Sequence, residues 1–323
     1  MPHWKTILTY DGSPYNGWQI QPALPTVQGT LAQAIHRITG ETVLPQGSGR
    51  TDTGVHALAQ VATFSLTAPI PAANLHRALN RALPPSIRIL SVEPVPEDFH
   101  ARHSARRKTY EYRILPCKSH SEDRICPPML APYVWACRFP LQLAPLQQAA
   151  AHILGTHDFT SFAAVDPDLN TRLKTPSEPI PAVAPSSPTV PSPSQPNKEI
   201  VTTEGEPQAN KEIVISTEGG ASPAAVERPP HSFSTPSENS TIPTDNTRTI
   251  FHSAWHQRED LLIYRVTGSG FLHHMVRNLV GTFVETATRL NPDVIPKILA
   301  ARNRSAAGPT APARGLFLAE VEY

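Results

Sequence analysis

The chain opens on an alternating segment, Trp4 to Tyr10, whose period of two predicts a strand. Thr26 then stands where an N-cap belongs, ahead of Leu31, Ala34, Ile35 and Ile38 at helical spacing, and Gly40 ends that helix. A second helix is predicted by Leu75, Ala78, Leu79 and Ala82. Strand patterns cover Leu58 to Ser65, Ile87 to Val95 and Lys108 to Leu115. Beyond Pro140 a helix is expected to about Leu154. Strands follow near Ile250 to His256 and Leu261 to Thr267, a long helix over Gly270 to Leu290, and a last strand at Leu316 to Tyr323. The two kinds of element are interspersed without the regular alternation of a doubly wound fold. This predicts an α+β chain with a mixed, largely antiparallel sheet covered by helices.

Residues 166–245 break the pattern. They are rich in Pro, Ser, Thr and Glu with Phe233 as their single aromatic, so they lack apolar surface to offset the entropy of ordering. We expect a disordered insertion. It carries short duplications: Asn197-Lys198-Glu199-Ile200-Val201 returns at 210–214, and Thr175-Pro176-Ser177-Glu178 returns at 235–238, which points to growth of a tolerated loop.

Composition changes this picture in one respect. The net charge of +1 averages unlike regions, because the insertion holds 11 acidic and 5 basic residues and leaves 16 acidic against 23 basic elsewhere. That remainder can hold a phosphate backbone. No apolar run is long enough to span a membrane and the start lacks the order of a signal peptide, so a cytoplasmic protein is expected. Cys117, Cys126 and Cys137 are odd in number and widely spaced, which predicts reduced thiols without zinc or redox exchange.

Chemistry concentrates in Gly47-Ser48-Gly49-Arg50-Thr51-Asp52-Thr53-Gly54-Val55-His56-Ala57, between two predicted strands. Three glycines in eight residues permit a tight turn that a substrate can approach closely. A carboxylate on a rigid loop beside a guanidinium is available as a nucleophile, but the same residue types also tie down ordinary turns. The glycine spacing fits neither a dinucleotide fingerprint nor a phosphate-binding loop. Among histidines, His252 and His256 lie four apart on a predicted strand, and His273 and His274, adjacent on a predicted helix, should diverge. With no third ligand at recognisable spacing, no metal is expected.

Arg50-Thr51-Asp52-Thr53-Gly54-Val55-His56-Ala57 resembles the signature of the bacterial tRNA pseudouridine synthase A family, whose aspartate is the catalytic nucleophile. The resemblance extends along the chain. Tyr10-Asp11-Gly12-Ser13, Tyr15, Gly17-Trp18-Gln19 and Gln21 are similar to the opening motif. Asp98-Phe99-His100-Ala101-Arg102, Ser104-Ala105 and Lys108-Thr109-Tyr110-Glu111-Tyr112 are similar to the next. Gly270 to Gly281 and Thr310-Ala311-Pro312-Ala313, Gly315-Leu316 resemble the second-half and C-terminal motifs.

This resemblance implies a pseudouridine synthase fold of two similar halves with a cleft between them, residues 1–105 forming one half and 106–165 with 246–323 the other. It implies isomerisation of uridine at positions 38 to 40 of the tRNA anticodon stem-loop by a homodimer without a cofactor. Asp52 is then the nucleophile and Arg277 its partner. Tyr110 is the active-site ring, alternation putting it on one face of its strand with Tyr112. Arg50 helps hold the extruded nucleotide. The basic run Arg102, Arg106, Arg107 and Lys108 adjoins Tyr110 and is expected to contact phosphates. The family's short step after Asp158-Phe159-Thr160-Ser161-Phe162 to an Arg-Thr element has two candidates, Arg172 and Arg248. The strand pattern that follows Arg248 favours it. A catalytically silent RNA-binding protein and an enzyme acting on a free nucleoside are the rival readings.

Overall fold

In the first strand, β1 (His3–Tyr10), every second side chain from Trp4 to Tyr10 is buried and those between are partly exposed, as its period requires. The structure, a computed structural model, describes residues 1–119, 124–164 and 245–323. Apart from Asp245, the insertion expected at 166–245 lies outside the described residues, as does Arg172.

After β1 come α1 (Val27–Thr39), β2 (Gln46–Gly47), β3 (His56–Ser65), α2 (Ala72–Ala82), β4 (Ile87–Val95) and β5 (Arg107–Pro116). Then follow β6 (Trp135–Cys137), α3 (Leu143–Ala151), β7 (Gly155–Asp158), β8 (Thr247–Arg258) and β9 (Leu261–Gly268). The chain closes with α4 (Met275–Thr288), α5 (Ile295–Ala301) and β10 (Leu316–Glu322). The strands make one sheet in the order β4-β1-β3-β10-β5-β9-β8-β7, with β2 added on β3 and β6 on β5. Among the described residues only β3 with β10 and β5 with β6 run parallel. The fold is α+β with a mixed, mostly antiparallel sheet flanked by helices.

Local signals account for much of this. Thr26 accepts a hydrogen bond from the Gly29 amide and α1 buries Val27, Leu31, Ala34 and Ile35. In α2 the spacing of Leu75 and Leu79 buries both. The parallel pair Phe317 with His56 and Leu318 with Ala57 is the seam along the sheet. Strands from 1–105 lie on one side of it and the remaining strands on the other.

The helix expected over Gly270 to Leu290 is shorter. It begins at Met275, because His274 adopts a left-handed backbone (φ 58) and residues before it turn. Apolar spacing runs through this stretch, but a left-handed residue cannot propagate a right-handed helix. The helix α5 and the short strands β2, β6 and β7 carried too few residues to show a period. Gly281 lets α4 meet the C-terminal segment closely, since a Cβ there would lie 1.7 Å from the Pro309 carbonyl oxygen. The three cysteines are free, Cys117 and Cys137 buried. Among the described residues no helix is long and apolar enough to cross a membrane.

Candidate active site

The loop carrying Asp52 is fixed from three directions. From the opening motif, the Trp18 amide donates to the Thr51 carbonyl at 3.0 Å and Tyr10 shares a 2.8 Å hydrogen bond with the Thr51 hydroxyl. Gly17 makes that approach possible: its φ is +82 and a Cβ would stand 2.5 Å from the Thr51 oxygen. From β3, the Gln60 side chain accepts from the Ser48 hydroxyl at 2.6 Å and donates to the Gly49 carbonyl at 2.9 Å. From β5, the Lys108 ammonium donates to the Ser48 carbonyl. Below the loop, buried His56 accepts from the Gly12 amide through Nδ1, which leaves its Nε2 proton for the Pro132 carbonyl at 3.0 Å. Burial holds this imidazole below its usual range, so it is neutral structural glue.

Asp52 itself is partly exposed, and Arg277 on the first turn of α4 places Nη1 2.9 Å from its Oδ2. The guanidinium is aimed by a second contact, Nε donating to the Ala311 carbonyl at 2.8 Å, while the Ala311 amide returns a bond to the Arg277 carbonyl. Residue 312 is held in turn by Tyr112, whose hydroxyl donates to the Pro312 carbonyl at 2.7 Å. A charge-assisted contact with one arm fixed elsewhere orients a carboxylate as well as neutralising it.

Tyr110 is buried beside this pair, its ring edge-on to Phe271 with centroids 5.0 Å apart. Burial, with lesser contributions from Tyr10 and Asp52, pushes its phenol well above the ordinary range, so the hydroxyl carries its proton at neutral pH. The Tyr10 phenol is pushed up to about 12 by burial.

The basic run does not form one surface. Arg102 and Arg106 are exposed, as is Arg50 on the loop. Arg107 stacks its guanidinium 4.7 Å from the Phe251 ring and lies 3.9 Å from Glu322. Lys108, the next residue in β5, faces the other way by alternation and shares the side of Tyr110. It is partly buried, and that burial, assisted by Arg102, draws its ammonium down to about 8. Its partner is the nucleophile loop itself.

His273 and His274 correct the sequence expectation. They do not diverge on a helix; both precede α4, and the left-handed backbone at His274 turns the two rings to within 4.0 Å of each other. His273 Nε2 lies 3.6 Å from Asp52 Oδ1 and His274 Nε2 lies 3.3 Å from Oδ2. Burial keeps the His274 imidazole below its usual range against the pull of Asp52. Their adjacency to Arg277 in sequence was a signal, but only the turn at 274 gives it meaning.

Arg248 is the second residue of β8, and Asn246, just before the strand, bonds the Thr160 hydroxyl through its side-chain amide while its backbone carbonyl accepts from the Phe159 amide. The Asn246-Thr247-Arg248 step thus abuts the Asp158–Phe162 segment.

The family described as tRNA pseudouridine synthase matches residues 7–104 and 230–323, which together exceed half the chain. A protein of Solibacter usitatus called tRNA pseudouridine synthase A is 39% identical over 99% of this chain and 98% of its own length. Its namesake from Moorella thermoacetica is 36% identical over 100% of both, and that of Maridesulfovibrio salexigens 34% identical over 99% of this chain and 89% of its own. Motifs, fold and these matches agree: the chain belongs to the tRNA pseudouridine synthase family, whose members isomerise uridine to pseudouridine in tRNA.

Proposed function

We propose that this chain acts at positions 38 to 40 of the tRNA anticodon stem-loop, with Asp52 as nucleophile. The observation that carries the reading is the 2.9 Å contact of Arg277 with the Asp52 carboxylate, next to a buried tyrosine on the central sheet. In the isomerisation the N1–C1′ bond breaks, the uracil turns, C5 joins C1′, and a proton leaves C5 as N1 gains one. Asp52 starts the sequence by attack at C1′ or by drawing off the proton whose loss gives a glycal. Arg277 keeps the carboxylate aimed. Tyr110, protonated in the free protein, meets the detached base as a stacking ring and hydrogen-bond donor. To serve afterwards in removal of the C5 proton, it must first pass its own proton on.

The uridine must leave its stack to reach Asp52, since the carboxylate sits in a tightly bonded loop. Arg50, Arg102, Arg106 and Arg107 are proposed as phosphate and nucleotide contacts, and Lys108 as a prop for the loop with its charge facing the same site. The seam between β3 and β10 lies under the loop, which supports treating 1–105 and the remainder as two halves sharing one sheet. The same reading carries a homodimer that shares each tRNA and works in the cytoplasm without a cofactor.

The test is release of tritium from C5-labelled uridine in an anticodon stem-loop, with mapping of the product. Release confined to positions 38 to 40 is expected. Stem-loop binding without release would favour a silent RNA-binding protein, and binding insensitive to salt would oppose a polyanion substrate.

A further inference from the structure

We propose that Asp52, His273 and His274 form a binding site for a borderline transition-metal ion, zinc above all, and that the bound ion inhibits the protein by occupying the nucleophile. Binding itself rests only on geometry; inhibition rests on the reading of Asp52 given above.

One ligand atom from each of the three residues lies within 4.8 Å of the others. The two carboxylate-to-imidazole edges are 3.6 and 3.3 Å. A tetrahedral ion with bonds of about 2.0 to 2.1 Å needs ligand-to-ligand edges of about 3.3 to 3.4 Å. The two carboxylate edges are close to this but end on different oxygens, so small rotations of the carboxylate and imidazoles, which already lie within 4.8 Å of one another, complete the site. The left-handed turn at His274 fixes both imidazoles on one side, which removes much of the entropic cost of gathering ligands.

The donor set decides the class of ion. Two imidazoles and one carboxylate suit zinc, cobalt and nickel, whereas magnesium and calcium prefer oxygen ligands and water. The side chains are 20 to 28% exposed, which admits an ion and leaves its fourth position to water. Arg277 opposes the ion, with Nη1 2.9 Å from the same Oδ2 that faces His274. Its repulsion sets affinity below that of a structural zinc centre and makes the site reversible. Bound there, the ion shares the carboxylate with Arg277 and withdraws its charge, so an occupied site presents a weakened and crowded nucleophile to C1′.

The experiment uses the full-length protein freed of metal with a chelator. Cobalt(II) is titrated in while its visible absorption is followed, and zinc is then added to displace it. Expected are one equivalent bound with the intense bands of a tetrahedral centre and a loss of affinity of at least about tenfold in both Asp52→Asn and His273→Phe. The double variant His100→Asn, His103→Asn, which removes the other closely spaced histidine pair, should bind as the parent does. Zinc should lower the turnover rate even at saturating stem-loop, and millimolar magnesium should not. Circular dichroism identifies any variant that has not folded, in which case His273→Asn replaces His273→Phe. Absent bands, or unchanged affinity in folded Asp52→Asn and His273 variants, would overturn the site and leave the nucleophile assignment untouched. Binding at the triad with undiminished turnover would overturn the inhibition and count against Asp52 as nucleophile.

Discussion

Arg277 and Asp52 are 225 residues apart in sequence, yet the guanidinium of one lies 2.9 Å from the carboxylate of the other. The contact is directional because the Arg277 Nε is committed to the Ala311 carbonyl. An ammonium cannot make both bonds from one position. Arg277→Lys should therefore lose about a hundredfold or more in initial rate, a loss on the scale of one preorganised donor. Initial rates on an anticodon stem-loop, with the thermal midpoint as control, check this. Near-normal activity would mean that another group holds Asp52, with Arg50 the first to examine.

Tyr110→Phe keeps the ring against Phe271 and removes only the hydroxyl. Stem-loop affinity should persist while kcat falls by about a hundredfold, since proton transfer by a positioned side chain contributes on that order. Loss of affinity with kcat preserved would restrict Tyr110 to stacking.

Lys108 gives a prediction in pH. Burial moves its ammonium from the ordinary 10.5 to about 8. Between those values the unfolded chain holds a proton that the folded protein has released, so stability rises with pH through this window. It declines again as pH falls towards about 8, below which both states are charged and the cost of the buried cation is complete. Against Lys108→Met, the wild type should gain on the order of 1 kcal/mol per pH unit across that window. Urea unfolding of both proteins from about pH 7 to 10 measures the difference, with the linear slope m as a check on the state unfolded. A pH-independent difference would show that the ammonium is solvated.

Deleting 173–243 should leave an active, folded protein. The segment joins two antiparallel neighbours, β7 and β8, whose ends already meet at Asp158 and Thr247. Its Pro-rich, nearly aromatic-free composition offers little to a core. Loop closure changes by only roughly 0.6 kcal/mol per doubling of length, so the thermal midpoint should hold or rise slightly. Removing its net negative charge should strengthen stem-loop binding at low salt. A large fall in the midpoint would show that the segment packs on the body; a fall in rate alone would give it a functional role.

The elements legible in the sequence are those with strong local signals, such as the Thr26 cap of α1 and the alternation in β1. Asp52 was visible as a loop carboxylate, but residue chemistry left it balanced against a tied turn, and only the resemblance singled it out. What was illegible depended on tertiary register. Lys108 turns inward because β5 begins at Arg107, which splits a run of charge between two faces. Ala311 aims Arg277 through a backbone carbonyl, which any residue type supplies. The histidines converge because of one backbone angle at 274, inside a stretch whose apolar spacing continues as a helix.

The central claim is that Asp52 is the nucleophile, and turnover by purified Asp52→Asn tests it most directly. The amide keeps the side chain's shape and an oxygen for Arg277, so the loop and stem-loop affinity should be nearly unchanged while the attacking carboxylate is lost. The account predicts no pseudouridine above background in prolonged single-turnover reactions with this variant at saturating protein. Pseudouridine formed at a rate near that of the wild type would contradict it.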